Sequence, residues 1–188
     1  CIIRLDASRL ALGFEEKGVH ILDLYTGNFK PVTNSVIENI LEGATGIKSL
    51  FYEDNWLWIG TAGRGVIITN LISGKTRVLN DKEWLPNNMI YGMLPEIKGA
   101  IWMSSNKGIF RLVYRYSSDA VEIQQIFPYN VDHGLQSNEF NTGAYHRSED
   151  GYLYFGGISG LNFFHPKDTR QNQKHQDIVL TGAMIGNK

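Results

Sequence analysis

One short phrase is written four times along the chain. Leu10-Ala11-Leu12-Gly13 is followed by Gly18-Val19-His20-Ile21-Leu22, and Leu57-Trp58-Ile59-Gly60 by Gly65-Val66-Ile67-Ile68. Ile101-Trp102-Met103-Ser104 is followed by Gly108-Ile109-Phe110, and Leu153-Tyr154-Phe155-Gly156 by Gly160-Leu161-Asn162-Phe163. Each copy is an apolar run, a glycine-bearing turn and a second apolar run, which reads as a β-hairpin. The copies recur roughly every 45–50 residues, the spacing of four-stranded blades in a β-propeller. Gly27 follows Gly13 at the same offset as Gly74 follows Gly60, so Tyr25-Thr26-Gly27-Asn28 and Leu71-Ile72-Ser73-Gly74-Lys75 read as one outer turn in two blades.

The pattern predicts an all-β chain of about four blades with four antiparallel strands each, over 1–33, 45–80, 87–128 and 138–166. In the second blade, strands are expected at Lys48 to Tyr52, Trp56 to Gly60, Val66 to Asn70 and Thr76 to Asn80. Their apolar runs are continuous rather than alternating, as expected of strands buried on both faces. Val36, Ile37, Ile40 and Leu41 share one helical face, with Asn34-Ser35 before them and Gly43 after, which predicts a short helix between the first two blades. Residues 167–176 read as a polar linker. Asp177 to Gly182 reads as a further strand, either closing the fourth blade or opening a following immunoglobulin-like domain.

Composition bounds the function. The 188 residues carry a net charge of −1, so no broad basic field exists to hold a nucleic-acid backbone. No apolar run reaches the ~18 residues of a membrane span. Cys1 is the only cysteine and excludes an intramolecular disulfide. The start at Cys1, with no Met, fits a trimmed chain; a lipid-bearing N-terminus is the alternative.

Leu57-Trp58-Ile59-Gly60-Thr61 with Gly65 resembles the two-component regulator propeller repeat. Gly134-Leu135-Gln136-Ser137-Asn138-Glu139-Phe140-Asn141, with Asp150 to Gly157, resembles the last blade of that family, and Asp177 to Lys188 resembles the strand leading into its immunoglobulin-like domain. Met103-Ser104-Ser105 in the third copy and Ala11-Leu12-Gly13-Phe14 in the first depart from the pattern. The resemblance implies part of the periplasmic sensor region of a hybrid two-component system, whose kinase, receiver and DNA-binding parts are absent from this sequence. It also implies a ligand of the glycan-derived oligosaccharide class, and further sensor segments or a homodimer as partners.

Repeated Trp58, Trp102 and Tyr154 read as packing between sheets. Trp84 differs, standing in the polar connection Asp81-Lys82-Glu83-Trp84-Leu85-Pro86, where an aromatic can stack a sugar ring. Arg64 and Lys107 occupy turns between second and third strands, and Arg64 has the planar fork that grips a carboxylate or sulfate. Asn87, Asn88 and Asn138 open inner strands and read mainly as turn-fixing residues. Arg64, Trp84, Lys107, Asn138 and Glu139 form the candidate ligand-binding set.

Nothing predicts catalysis. Glu139 lacks a partner carboxylate of the kind glycoside hydrolysis needs. The five histidines show no ligand spacing, Gly156 to Gly160 opens a strand rather than a helix, and no nucleophile context appears, so no metal or cofactor is expected. The expected function is a non-catalytic extracytoplasmic sensor segment. The alternatives are a protein-interaction propeller without a sugar ligand and, further off, a propeller-type polysaccharide lyase or hydrolase.

Overall fold

The computed structural model describes residues 1–41, 46–117 and 119–169. Among the described residues fifteen strands and one α-helix fall in this order, besides 3-10 turns at Val131–His133 and Pro166–Thr169: β1 (Ile2–Arg4), β2 (Arg9–Gly13), β3 (Val19–Asp23), β4 (Phe29–Pro31), α1 (Ser35–Leu41), β5 (Ile47–Glu53), β6 (Trp56–Thr61), β7 (Val66–Asn70), β8 (Thr76–Leu79), β9 (Gly92–Ile97), β10 (Ala100–Ser105), β11 (Gly108–Tyr116), β12 (Val121–Tyr129), β13 (Phe140–Arg147), β14 (Leu153–Gly157) and β15 (Gly160–Phe164). They make three four-stranded sheets and one three-stranded sheet, each in chain order and antiparallel throughout. The Asp177 to Gly182 strand expectation lies outside the described residues.

Three apolar cores alternate with the four sheets. The first lies between sheets one and two and holds Ala11, Val19, Leu57, Ile59, Ile67 and the α1 residue Ile37. The second joins sheets two and three through Trp58, Ile68, Met103, Phe110 and Tyr114. The third joins sheets three and four through Trp102, Ile109, Phe140, Leu153 and Phe155. Each middle sheet therefore hides both faces, which explains the continuous apolar runs. The innermost strands β1, β5, β9 and β13 gather side by side.

The repeat fixes which face each residue takes. Ala11, Trp58 and Trp102, at the second position of the phrase, all point to the following sheet, while Leu57, Ile59, Ile101, Met103, Leu153 and Phe155 point to the preceding one. Tyr154, at the second position of the last copy, alternates with Leu153 and Phe155 and so faces away from the preceding sheet. It is half-buried and stacks on Phe163 with centroids 5.9 Å apart, because no sheet follows among the described residues. At the other end of the stack, Phe14, His20 and Phe29 form an aromatic group, with His20 and Phe29 stacked at 4.5 Å.

The departure Met103-Ser104-Ser105 has a packing reason. In sheet two Ser49 pairs with Gly60, and in sheet three Gly92 pairs with Ser104. Serine and glycine have exchanged strands across the same pair. A Cβ on Gly60 would stand 2.3 Å from the Ser49 hydroxyl, and one on Gly92 would stand 2.5 Å from the Tyr145 ring. Gly60 thus makes room for its pair partner Ser49, and Gly92 for the Tyr145 ring of the next sheet.

Helix α1 forms where expected. The Asn34 side chain accepts the Ile37 amide at 2.9 Å, an N-terminal cap, and its NH₂ donates to Thr76 Oγ1 at 2.8 Å, tying the cap to sheet two. The two outer turns are also equivalent. Asp23 Oδ1 accepts the Tyr25 and Thr26 amides, Asn70 Oδ1 accepts the Ile72 and Ser73 amides, and the Gly27 and Gly74 amides each bond the carbonyl four residues earlier at 2.9 Å.

On the turn between β1 and β2, Asp6 accepts from Arg9 Nε at 2.7 Å and from the Ser8 amide at 2.8 Å. The Arg9 bond, then the Ser8 amide, hold its carboxyl at about 2 against an ordinary 3.8. A carboxylate so lowered stabilises the fold above the unfolded value and loses that contribution as pH falls through about 2. An NMR titration of Asp6 should give a midpoint near 2, and Arg9→Ala should move it upward; a midpoint near 3.8 in the unaltered chain would contradict this geometry.

Candidate functional site

The turns between second and third strands and the connections between sheets meet on one face. Here the structure repeats itself in detail. Thr61 Oγ1 donates to the Gly65 carbonyl at 2.8 Å and accepts the Arg64 amide at 2.9 Å; Ser105 Oγ donates to the Gly108 carbonyl at 3.0 Å and accepts the Lys107 amide at 3.0 Å. Each turn then docks on a connection. The Gly65 amide donates to the Asn88 carbonyl at 2.8 Å, and the Gly108 amide to the Asn138 carbonyl at 2.7 Å. Gly65 and Gly108 have φ of +75° and +90°, and a Cβ on either would stand 2.0 Å from the carbonyl oxygen of Leu79 or Tyr129.

The connections are built alike. Asn88 Oδ1 accepts the Asp81 amide at 2.8 Å, and Asn138 Oδ1 accepts the Val131 amide at 3.1 Å. The carbonyls of Asn80 and Asn130 accept the amides of Leu85 and Leu135 at 2.9 and 3.4 Å. Asn87 Oδ1 accepts the Met89 amide at 2.9 Å, and Ser137 Oγ the Glu139 amide at 3.1 Å. Asn80 and Asn130 were not singled out from sequence. Their signal is that each stands eight residues before the matching Asn88 or Asn138.

The five candidate residues fall into two neighbouring groups. Arg64 sits on a turn docked against the connection that carries Trp84. Trp84 is 38% exposed beside the buried Leu85, and the Arg64 side chain is exposed. Lys107 sits on the next turn, docked on Asn138 and adjoining Glu139, with both charged side chains exposed. Asn138 is engaged in its turn through Oδ1. Tyr91 Oη donates to Asn106 Oδ1 at 2.9 Å and links one connection to the next turn. The backbone of this face is tied by hydrogen bonds, and Arg64, Lys107 and Glu139 stand exposed upon it, an arrangement suited to recognition by loops on a scaffold.

Two cavities of about 440 Å³ lie among the described residues near this face and beside the third core. One lies between sheets three and four, with Trp102, Tyr129 and Phe164 as aromatic walls and His133 and Asp168 at the rim. Trp102 is fixed from behind, its indole N–H donating to Glu96 at 3.0 Å, and Glu96 also accepts from Arg111 Nε at 2.6 Å. The second lies at the inner mouth, lined by Ile2, Glu15, Lys48, Thr142, Gly143 and Tyr145 among others. Away from these cavities, burial pushes the Tyr114 and Tyr116 hydroxyls well above the ordinary phenol value, and Tyr114 Oη donates to Glu53 at 2.8 Å. Among the described residues no group of three His, Cys, Asp or Glu side chains could hold a metal ion, and no helix is long and apolar enough to cross a membrane.

The architecture has known counterparts. Over 89% of its length the chain superimposes on 21% of the extracellular domain of the hybrid two-component system BT4673 from B. thetaiotaomicron, with a TM-score of 0.62 and 18% identity. It covers 28% of the corresponding domain of BT3049 from the same organism at a TM-score of 0.55 and 19% identity. It also covers 52% of the β-propeller domain of Cps50 (Swd1) from Myceliophteria thermophila, at a TM-score of 0.56 and 17% identity. The fold is a β-propeller segment. Sequence carries the comparison further: 101 residues, 54% of the propeller segment, are 28% identical to histidine kinase P4 of Formosa agariphila. The aligned stretch is 7% of that kinase. No family model matches the segment. Its resemblance to two-component sensor propellers thus rests on blade residues, on sequence similarity to a histidine kinase and on a fold shared with extracellular sensor domains.

Proposed function

We propose that the segment belongs to the extracytoplasmic sensor region of a hybrid two-component system. In this reading it is non-catalytic and contributes a face that binds glycan-derived oligosaccharides. The observation that carries it is the joint similarity to a histidine kinase in sequence and to two extracellular sensor domains in fold. The face with its hydrogen-bonded turns and exposed charged tips supports it, because such a face offers a ligand contacts outside the cores. A ligand that prefers one arrangement shifts the population toward it, and that shift is what a kinase elsewhere in the polypeptide reads.

The test is calorimetric titration of the complete sensor region with a panel of plant and host oligosaccharides, beside Arg64→Ala and Trp84→Ala. A saccharide should bind, and each substitution should weaken it by about 1–2 kcal/mol, the scale of one charge-assisted hydrogen bond or one stacking contact. Binding that survives both substitutions unchanged contradicts the assignment of these residues. A complete absence of binding contradicts the sugar reading.

A further inference from the structure

The strands form an array with a definite phase. Sheets one, two and three each run inner strand, second, third and outer, and every outer strand follows its third strand after a turn of four or five residues. Among the described residues the fourth sheet stops at its third strand. Beyond β15 the chain enters the 3-10 turn Pro166–Thr169, with Pro166 buried, rather than a hairpin to an outer strand. β15 pairs with β14 on one side, and its other edge meets no strand among the described residues. An edge of this kind is a template for a further strand.

The packing beside that edge differs in the matching way. In the second interface the outer strand β12 sends Val121, Ile123 and Ile126 into the core. In the third interface sheet four contributes Phe140, Tyr145, Leu153, Phe155 and Phe164, all from β13, β14 and β15. At the outer position stands the cavity of about 440 Å³ walled by Tyr129 of β12, Trp102 and Phe164. On the face of β15 turned away from sheet three, Leu161 and Phe163 are 58% and 62% exposed. A strand laid along this edge meets backbone donors and acceptors in line, with apolar surface on both sides of it. Backbone bonds then supply affinity, and alternate side chains entering the cavity supply specificity.

The phase also points to the donor. The inner strands β5, β9 and β13 are each reached from the outer strand of the preceding sheet. The same rule applied to β1 places an outer strand on its N-terminal side. Counted that way the unit is outer, inner, second, third, and each outer strand completes the sheet before it. The first outer strand of such a series has no earlier sheet to complete, while the last sheet lacks an outer strand. In a closed ring those two ends meet. We propose that the free edge of β15 is the docking site for a strand of the same polypeptide lying N-terminal to Cys1. It adds antiparallel to β15, as β4, β8 and β12 add to their sheets, and fills the cavity with alternate apolar side chains. Backbone bonds then tie the first and last parts of the propeller into one unit. This inference is independent of the saccharide reading.

Two measurements on the complete sensor region test it. In hydrogen exchange, the amides of 161–164 should be as slow as those of β7 and β11, the third strands that carry an outer partner. Exchange at the rate of a free edge overturns the docking site. The donor is identified without deleting anything, by placing the photoreactive p-benzoylphenylalanine at Phe164, on the cavity wall. The region is assembled from mixed light- and heavy-isotope chains, irradiated, and the captured peptide is read by mass spectrometry. Capture, within one chain, of a peptide N-terminal to Cys1 is the expected result. Capture of a peptide from 170–188 overturns the donor and assigns the strand to the C-terminal side. Capture between light and heavy chains overturns it in favour of a second copy. Capture confined to 1–169 overturns the proposal altogether, because no added strand then fills the cavity.

Discussion

Trp58→Ala should cost about 3–5 kcal/mol of folding stability, the range for emptying an aromatic from a core that cannot collapse around the void. Trp58 is 0% exposed. Its ring meets Tyr114 at 4.8 Å on the neighbouring sheet and Phe51 at 6.1 Å on its own. Both contacts belong to the core between sheets two and three, the largest of the three. Folding free energies of domains are about 5–15 kcal/mol in total, so this one truncation removes a large share. Trp84→Ala, at a site 38% exposed in a connection, should cost about 1 kcal/mol or less. Urea unfolding followed by far-UV circular dichroism checks both. Equal losses at the two tryptophans would contradict the division between a packing residue and a surface one.

Gly65→Ala and Gly108→Ala should each cost about 3 kcal/mol or more, because two penalties coincide. The backbone at both positions lies in the left-handed region that a side chain resists. The added carbon would also stand 2.0 Å from a carbonyl oxygen of the outer strand, which is backbone and moves only if the strand moves. Gly74→Ala separates the two effects. Its φ is +73°, yet nothing lies within 4 Å of its Cβ, so only the conformational cost of about 1 kcal/mol remains. Thermal unfolding of the three variants should therefore rank Gly74→Ala well above the other two. If all three melt together, the close docking of turn on outer strand is wrong.

What could be read from the residues was whatever the chain repeats locally. The hairpins, the outer turns at Gly27 and Gly74 and the helix at Ser35–Leu41 all rest on patterns within a few residues, and each stands where the pattern put it. The facing rule was legible only in part. Trp58 and Trp102 were read as packing residues, but that they point to the following sheet, leaving Tyr154 half-buried, requires the third dimension. Tyr114 and Trp58 lie far apart in sequence and in different hairpins, so no local pattern pairs them. The exchange of serine and glycine between Ser49–Gly60 and Gly92–Ser104 looked like a lapse in the repeat until both strands could be seen together. The bulge in β13, where Asn141 to Ala144 face the single residue Gly156, was hidden for a related reason. An inserted residue has a recognisable signature only against its pairing partner, and the partner strand is set by the fold.

The central claim is that successive sheets stack face on face. A double-mutant cycle across the second interface tests it most directly, with Trp58→Leu on sheet two and Tyr114→Leu on sheet three, followed by chemical unfolding. Rings 4.8 Å apart should couple, so the two losses should fail to add by about 1 kcal/mol. Losses that add within experimental error would mean that the two residues do not touch, and that the sheets do not stack as described.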